Sequence, residues 1–349
     1  MIAKPDAPQA RLVDVAEKAG VSVALASVAL RGGSRGTIRI DAETAERIRR
    51  VARQMAYRPN MAAQRLKGRK NDVIGVLIGA ESTPANHERL AAVDREAYKR
   101  GFRLMIGTFH GDSRHAAEYI EDFLARGIDA LICFHNPLPP SDRAVKKLLA
   151  EAKALVFQTE PLIKGACCVD VDRADGIRQA VEYLRGRGRS RIGLALNCPA
   201  AADPLMADRL RGYRVALTDL GIPFDPALVW EGPGTFPPTK ALAKRTVEAL
   251  VKNGGADALV ASNDVWAIAL IKELRARRIA VPGDVAVVGF DNLEAGALFD
   301  PALTSIDQNN AEFAVAAVEL LIASLGGRRL PPERRTRVVR PRLVARESA

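Results

Sequence analysis

No run of eighteen consecutive apolar residues occurs anywhere in this chain, so nothing in it can cross a bilayer as a helix. The opening residues, MIAKPDAPQAR, lack the apolar core of a secretory signal, and a cytoplasmic protein is expected. Cysteine is scarce. Cys133, Cys167, Cys168 and Cys198 contain no C-x-x-C pair, and the neighbouring Cys167 and Cys168 are badly placed to bridge each other, which leaves reduced, partly buried thiols and no zinc framework. There are only four histidines, no H-E-x-x-H and no G-x-S-x-G. Gly186-Arg187-Gly188 does not complete a dinucleotide fingerprint, and no phosphate-binding P-loop exists. Catalysis, a metal site and a cofactor are therefore not expected.

What the chain does have is positive charge in one place. Residues 1–70 hold fifteen Lys and Arg against six Asp and Glu, +9 of the net +11, leaving +2 for the other 279 residues. A basic head on a nearly neutral body is the electrostatic footprint of a module that binds phosphates, because each neutralised phosphate releases counterions.

Within that head the apolar residues Leu12, Val15, Ala16 and Ala19 recur at helical spacing, Gly20-Val21-Ser22 interrupts them, and Val23, Ala26, Ser27 and Leu30 resume the pattern. Two short helices about a glycine turn make a helix-turn-helix, with Ser22 as the cap of the second helix. A structural helical hairpin gives the same pattern. A third helix is expected from Asp41 through Ala45, Ile48, Val51, Ala52 and Met55, closing at Tyr57-Arg58-Pro59-Asn60, and a further short one over residues 61–67.

The body alternates. Val73–Ile78 reads as a buried strand, followed by a helix to Lys99 that stops at Gly101. Strands are then expected at 103–108, 130–134 and 154–157 with helices at 116–126 and 141–153, and a second series of strands at 191–196, 228–230, 258–261 and 285–289. Alternation of this kind means two doubly wound parallel sheets. Ligands of such sheets sit beyond the carboxyl ends of the strands. The residues there are Glu81, Ser82, His110, His135, Asn136 and Gln158 in the first half, and Asn197, Glu231, Asn263, Asp264, Asp291 and Asn292 in the second. Such groups suit hydrogen bonding to a small polar molecule held between two lobes, although surface loops are polar in any case.

Three blocks of the head, D-V-A-E-K-A-G-V-S, Y-R-P-N and A-A-Q-R-L before a basic linker, resemble the DNA-binding head and hinge of the LacI/GalR (lactose-repressor) family of bacterial transcription regulators. In the body, D-R-L-R-G-Y (208–213), A-S-N-D (261–264), V-P-G-D-V-A-V-V-G-F-D-N (281–292) and P-A-L-T-S-I (301–306) are similar to further blocks of that family. The resemblance implies a helix-turn-helix head at 1–58, a hinge helix and linker at 59–71, and a two-lobed, periplasmic-binding-protein-like body at 72–349. The first lobe would take about 72–170 and 302–328, the second about 171–301 and 329–349, with residues 337–344 as a strand of the second lobe. The implied protein is a homodimeric regulator, a repressor, of a palindromic duplex operator, controlled by a small effector, a carbohydrate or its derivative. A sugar-binding protein of the same fold without a DNA function is the alternative.

Carried over position by position, the resemblance assigns base reading to Val23, Ala24, Leu25 and Val28, with Ser22, Ser27 and Arg31 for polar contacts. It adds Tyr57, Asn60 and Ala63, and places Leu66 as a wedge in the minor groove. An apolar recognition helix departs from the family, and readout is expected to move partly into the loop 32–40 with Arg35. Leu25 is equally readable as core. In the body Arg209, Asn263 and Asp291 fall on effector-contacting positions, Gln158 on a polar contact and Phe236 on an aromatic wall. Asp264 is expected to cap the helix that follows it rather than touch ligand.

Overall fold

Three helices, α1 (Leu12–Lys18), α2 (Val23–Arg31) and α3 (Ala42–Gln54), form the described part of the first of two units, Met1–Asn71. The computed structural model describes residues 10–31, 40–58, 71–80, 83–128, 130–134, 142–326 and 330–349. Each helix begins where a side chain relieves unpaired amides. Asp14 accepts from the Arg11 backbone N–H at 2.7 Å, the Ser22 hydroxyl oxygen accepts from Leu25 N–H at 3.2 Å, and Asp41 accepts from Thr44 N–H at 2.7 Å. Gly20, at φ +65°, makes the turn between α1 and α2 in a conformation that costs glycine little. The core is small and alanine-rich: Val15, Ala16, Ala19, Ala26, Ala29, Ala45, Ile48 and Ala52 are buried, so the helices lie close together. Of the apolar residues spaced along α2, Ala26 is buried together with Ala29, while Val23, also a candidate for base reading, is 42% exposed.

The second unit, Asp72–Ala349, contains two six-stranded sheets. In the first, β1 (Val73–Gly79), β2 (Arg103–Phe109), β3 (Ala130–Cys133), β4 (Ala154–Gln158), β5 (Cys167–Val171) and β11 (Thr336–Val339) lie in the order β11-β5-β4-β3-β1-β2, all parallel. In the second, β6 (Ile192–Leu196), β7 (Val229–Glu231), β8 (Ala258–Ala261), β9 (Ala286–Asp291), β10 (Thr304–Asp307) and β12 (Arg342–Val344) lie in the order β12-β10-β9-β8-β6-β7. Only the β10–β12 pair is antiparallel. The central strands of both sheets are buried on two faces, which is why β1, β3, β4, β6, β8 and β9 are nearly continuous apolar runs.

The first sheet is covered on one face by α4 (Pro84–Lys99) and α12 (Asn310–Leu325), and on the other by α5 (Ser113–Ala125) and α6 (Arg143–Glu151). The second carries α7 (Arg173–Gly186) and α8 (Pro204–Asp219) on one face. On its other face lie α10 (Asp264–Ala276) and α9 (Lys240–Val247), which runs on as a wider π-turn over Glu248–Asn253; α11 (Glu294–Ala297) is a single turn after β9. α7 and α8 pack tightly at Gly212, where an added Cβ would stand 2.2 Å from the Ala174 carbonyl oxygen.

The chain passes between the lobes three times, after β5, after β10 and between β11 and β12. Two expectations are corrected here. The return to the first lobe was placed at residue 302, but β10 still pairs with β9, so the crossing follows Asp307. The single strand expected at 337–344 in the second lobe is two strands, β11 beside β5 in the first sheet and β12 beside β10 in the second. Pro341 lies between them, has no N–H to give a ladder, and ends the first strand.

Candidate effector site and nucleic-acid interface

In the head the first turn of α2 faces outward. Ser22, Val23 and Ala24 are exposed, Leu25, Ser27 and Val28 are half-buried, and neither Leu25 nor Val28 is part of the head's apolar core. The reading of Leu25 as core is therefore not supported. Val21, Leu30 and Tyr57 pack against that core instead, and partial burial pushes the Tyr57 hydroxyl above its usual pKa. Arg31 is the last residue of α2. On α3 Arg47, Arg50 and Arg53 are exposed, with Arg53 held to Glu46 at 2.6 Å. Arg35, Asn60, Ala63 and Leu66, and with them the expected hinge helix, lie outside the described residues.

In the body the second lobe supplies a carboxylate at the end of β9. Asp291 has φ +124° and Asn292 φ +57°, two successive non-glycine residues in a region L-residues avoid, which marks a position held by its surroundings. Asn292 is fixed from both sides: its N–H donates to the Ser305 hydroxyl at 3.0 Å and its side-chain oxygen accepts from Arg346 at 2.7 Å. Asp291 is 6% exposed and accepts from Gln308 Nε2 at 2.5 Å. Burial, then the charge of Asp264, push its carboxyl up to about 7 against the pull of Arg209, Gln308 and Arg89. Asp264 is raised to about 6, chiefly by burial.

Asp264 does not cap its helix. Asn263 does, its side-chain oxygen accepting from Trp266 N–H at 2.8 Å. The Asp264 carboxylate points the other way, accepting from the Ser305 hydroxyl at 2.5 Å and the Leu293 N–H at 2.7 Å. Gly289 makes room for it, since a Cβ there would meet Asp264 Oδ1 at 2.1 Å. Asp264 thus braces the turn that presents Asp291.

Arg209, on α8, lies 4.4 Å over the Phe290 ring, one residue from Asp291. Its Nη1 donates to the Leu205 carbonyl at 3.0 Å, while its buried Nε has no acceptor among the described residues. From the first lobe, Gln158 at the end of β4 donates to Asn86 of α4 at 3.3 Å, and its buried Oε1 has no donor among the described residues. A chain of hydrogen bonds then joins the lobes: Arg89 of α4 donates to Gln308 Oε1 at 2.8 Å, and to Asn310 of its own lobe at 3.0 Å, and Gln308 donates to Asp291. Burial and the neighbouring Arg173 lower the Arg89 guanidinium to about 9 and that of Arg209 to about 10. Arg173 itself donates to Asp170 Oδ1 at 2.6 Å.

Of the expected effector residues, Gln158, Arg209 and Asp291 end at this junction with unspent or strained polar groups; Asn263 spends its oxygen as a cap, and Phe236 stands half-buried after β7 with no ring partner among the described residues. Asn197 and Glu231 from the wider list serve structure, bonded to Ser262 and to the Ala200 N–H, and His110 is exposed beside His115. Glu81, Ser82, His135 and Asn136 lie outside the described residues. Arg89, Asn86, Arg173 and Gln308 were missed. Arg89 had a signal: it interrupts the buried stripe of Ala85, Ala92, Val93 and Ala97 on α4, where an arginine is out of place unless it meets something polar.

Comparison with known proteins bears on both regions. Residues 11–60 match the model of bacterial regulatory proteins of the lacI family, and residues 181–349 match that of the periplasmic binding protein-like domain. The HTH-type transcriptional regulator DegA of Bacillus subtilis is 27% identical over 341 residues, 97% of each chain. The HTH-type transcriptional repressor CytR of Escherichia coli is 28% identical over 331 residues, 94% of this chain and 93% of that one. Among solved structures, a Lac repressor dimer bound to operator and an anti-inducer superposes with a TM-score of 0.79 over 97% of this chain and 99% of that one, at 23% identity, a likeness of fold. The cellobiose complex of the regulator CelR gives 0.67 at 25% identity, over 98% of this chain and 100% of that one. Head, body and full-length relatives agree, and the chain belongs to the lacI family of bacterial transcriptional regulators.

Proposed function

We propose that this regulator binds a palindromic duplex operator as a homodimer in the cytoplasm, represses transcription there, and is controlled by a small polar effector at the junction of its two lobes. Residues 1–58 would read DNA, 59–71 would pair as hinge helices on it, and 72–349 would sense ligand. The carrying observation is the first turn of α2, which is left outside the head's own core in the most basic part of the chain. Val23, Ala24, Leu25 and Val28 offer apolar contacts that suit thymine methyl groups, while Ser22, Ser27 and Arg31 offer polar ones. Leu66, at the position of a hinge wedge, would enter the minor groove between the two half-sites. The relatives are regulators, and we assign no catalytic step to the cleft.

In the body, Gln158, Arg209, Asn263 and Asp291 would hold the effector, with Phe236 closing over it. The test is selection of duplexes from a random library by the purified protein at one stated salt concentration. Enrichment of a palindrome with two equal half-sites is expected. Binding that is salt-sensitive but blind to sequence would favour the alternative, a ligand-binding protein of this fold whose head no longer reads DNA.

A further inference from the structure

A cavity of about 470 Å³ opens at the edge of the first sheet away from the lobe junction. The strands fix its place. Leu155 is the second residue of β4, Cys167 the first of β5, and Arg335 precedes Thr336 of β11. These strands are parallel, so all three residues stand where the strands begin, whereas Gln158 stands where β4 ends. The volume is that of a small-molecule pocket.

Charge in it is one-sided. Lys153, Lys164 and Arg335 line the cavity, and among the described residues no Asp or Glu does. Lys164 is exposed in the turn before β5, with no carboxylate bonded to it among the described residues. Arg335 is half-buried, and its Nε donates to the Leu330 carbonyl at 2.6 Å. That bond fixes the guanidinium at the cavity wall and leaves both Nη groups without an acceptor among the described residues. The inner wall, by contrast, has no proton to offer an anion. The Ser324 hydroxyl donates to the Leu320 carbonyl at 2.8 Å, and with that proton spent the Cys167 thiol, 3.7 Å away, is the donor of their contact. The rest of that wall is apolar, with Leu149, Leu155, Ile163 and Leu330.

An occupant that suits both parts has an apolar body directed inward and an anionic group directed outward. A polyol would leave its hydroxyls unpaired against the inner wall, and a bare phosphate would leave that wall unfilled. We propose that this cavity is a second ligand site, separate from the lobe junction, for a small amphiphilic organic acid. Its apolar body packs among Leu149, Leu155, Ile163 and Leu330, and its carboxylate is held by Lys164 and the free Nη groups of Arg335. Ser324 lies in the last turn of α12 and Arg335 leads into β11, and both elements connect at their far ends to the second lobe. A bound acid would therefore tie together two of the three segments that cross between the lobes.

The experiment is calorimetric titration of the full chain with hexanoate, octanoate and decanoate below their micelle-forming concentrations. Titrations with 1-octanol and acetate supply the apolar body and the anion alone. Octanoate is expected to bind once per chain, about tenfold tighter than octanol, and affinity should rise about fourfold for each methylene added along the series. Lys164→Glu replaces attraction by repulsion at an exposed position and should cost about tenfold in octanoate affinity. Arg335→Gln should cost about as much, with thermal unfolding to verify that it folds; if it does not, Lys164→Glu carries the test alone. Octanol that binds as tightly as octanoate would overturn the proposal, because the cations would then play no part. Acid binding undiminished in Lys164→Glu would overturn it by placing the acid elsewhere, and so would silence from all three acids at millimolar concentration. None of these outcomes bears on the effector reading, which concerns the opposite ends of the strands.

Discussion

Asp291 and Asp264 are carboxylates kept against their preference. Their folded pKa values lie above the ordinary value near 4, so between about pH 4 and pH 7 the folded chain holds protons that the unfolded chain has released. Stability contributed this way is present at the acid end of that window and is lost as the pH rises through it. The capping aspartates Asp41, Asp112 and Asp142 are lowered by the amides they accept from and act with the opposite sign, but below about pH 4. Urea midpoints should therefore fall from pH 5 to pH 7.5, and Asp291→Asn should flatten that slope; a slope unchanged in the variant would mean that Asp291 titrates normally.

A second residue prediction belongs to the head. Leu25 touches DNA in the proposed complex but not the head's core, so Leu25→Glu should abolish operator binding while thermal stability stays within about 0.5 kcal/mol of the parent, as is usual for surface changes. A large loss of stability would return Leu25 to the core.

At the scale of elements, close packing decides what the polarity of a segment cannot. Gly212 lets α8 lie on α7, and Gly212→Ala should destabilise the body by about 1–3 kcal/mol through overpacking. Gly186, also helical and with open space around its missing Cβ, is the control, and Gly186→Ala should be neutral or stabilising by about 0.5–1 kcal/mol. Equal losses at both would show that helix propensity rather than the α7–α8 contact is at work.

The same scale shows what was legible in advance. Strands buried on both faces announced themselves as apolar runs, so β1, β3, β4, β8 and β9 were evident. β5 was hidden by its Cys-Cys-Val-Asp-Val sequence and β10 by Thr-Ser-Ile-Asp, short strands whose polar members end at the lobe junction. The split of β11 from β12 depended on which sheet each side of Pro341 would join, which is a property of pairing and not of the segment. From the residues alone the candidate site was legible only where residues follow strands, and Arg209, on α8, was reached only through the family resemblance. Arg89 and Arg173 sit on helices, and Gln308 acquires its part from a hydrogen bond between distant segments.

For the whole molecule, three chain crossings join the lobes, and one of them carries the Arg89–Gln308–Asp291 chain of hydrogen bonds. Such a junction, three crossings and a polar latch, would act as a hinge whose closure a ligand at the latch would bias. A bound effector that competes for these bonds would change the set of lobe geometries available, and in the proposed regulator that change would be coupled to DNA binding. Coupling of this kind is reciprocal: the ligand must alter DNA affinity by the factor by which DNA alters ligand affinity.

That coupling is the central claim, and the most direct measurement is the affinity of the protein for its selected palindrome with and without saturating ligand, in the parent and in Asp291→Ala. A change of about 5- to 150-fold is predicted for the parent, the usual range for such coupling, and none for the variant. A ligand that binds the body yet leaves the parent's DNA affinity unchanged would contradict it.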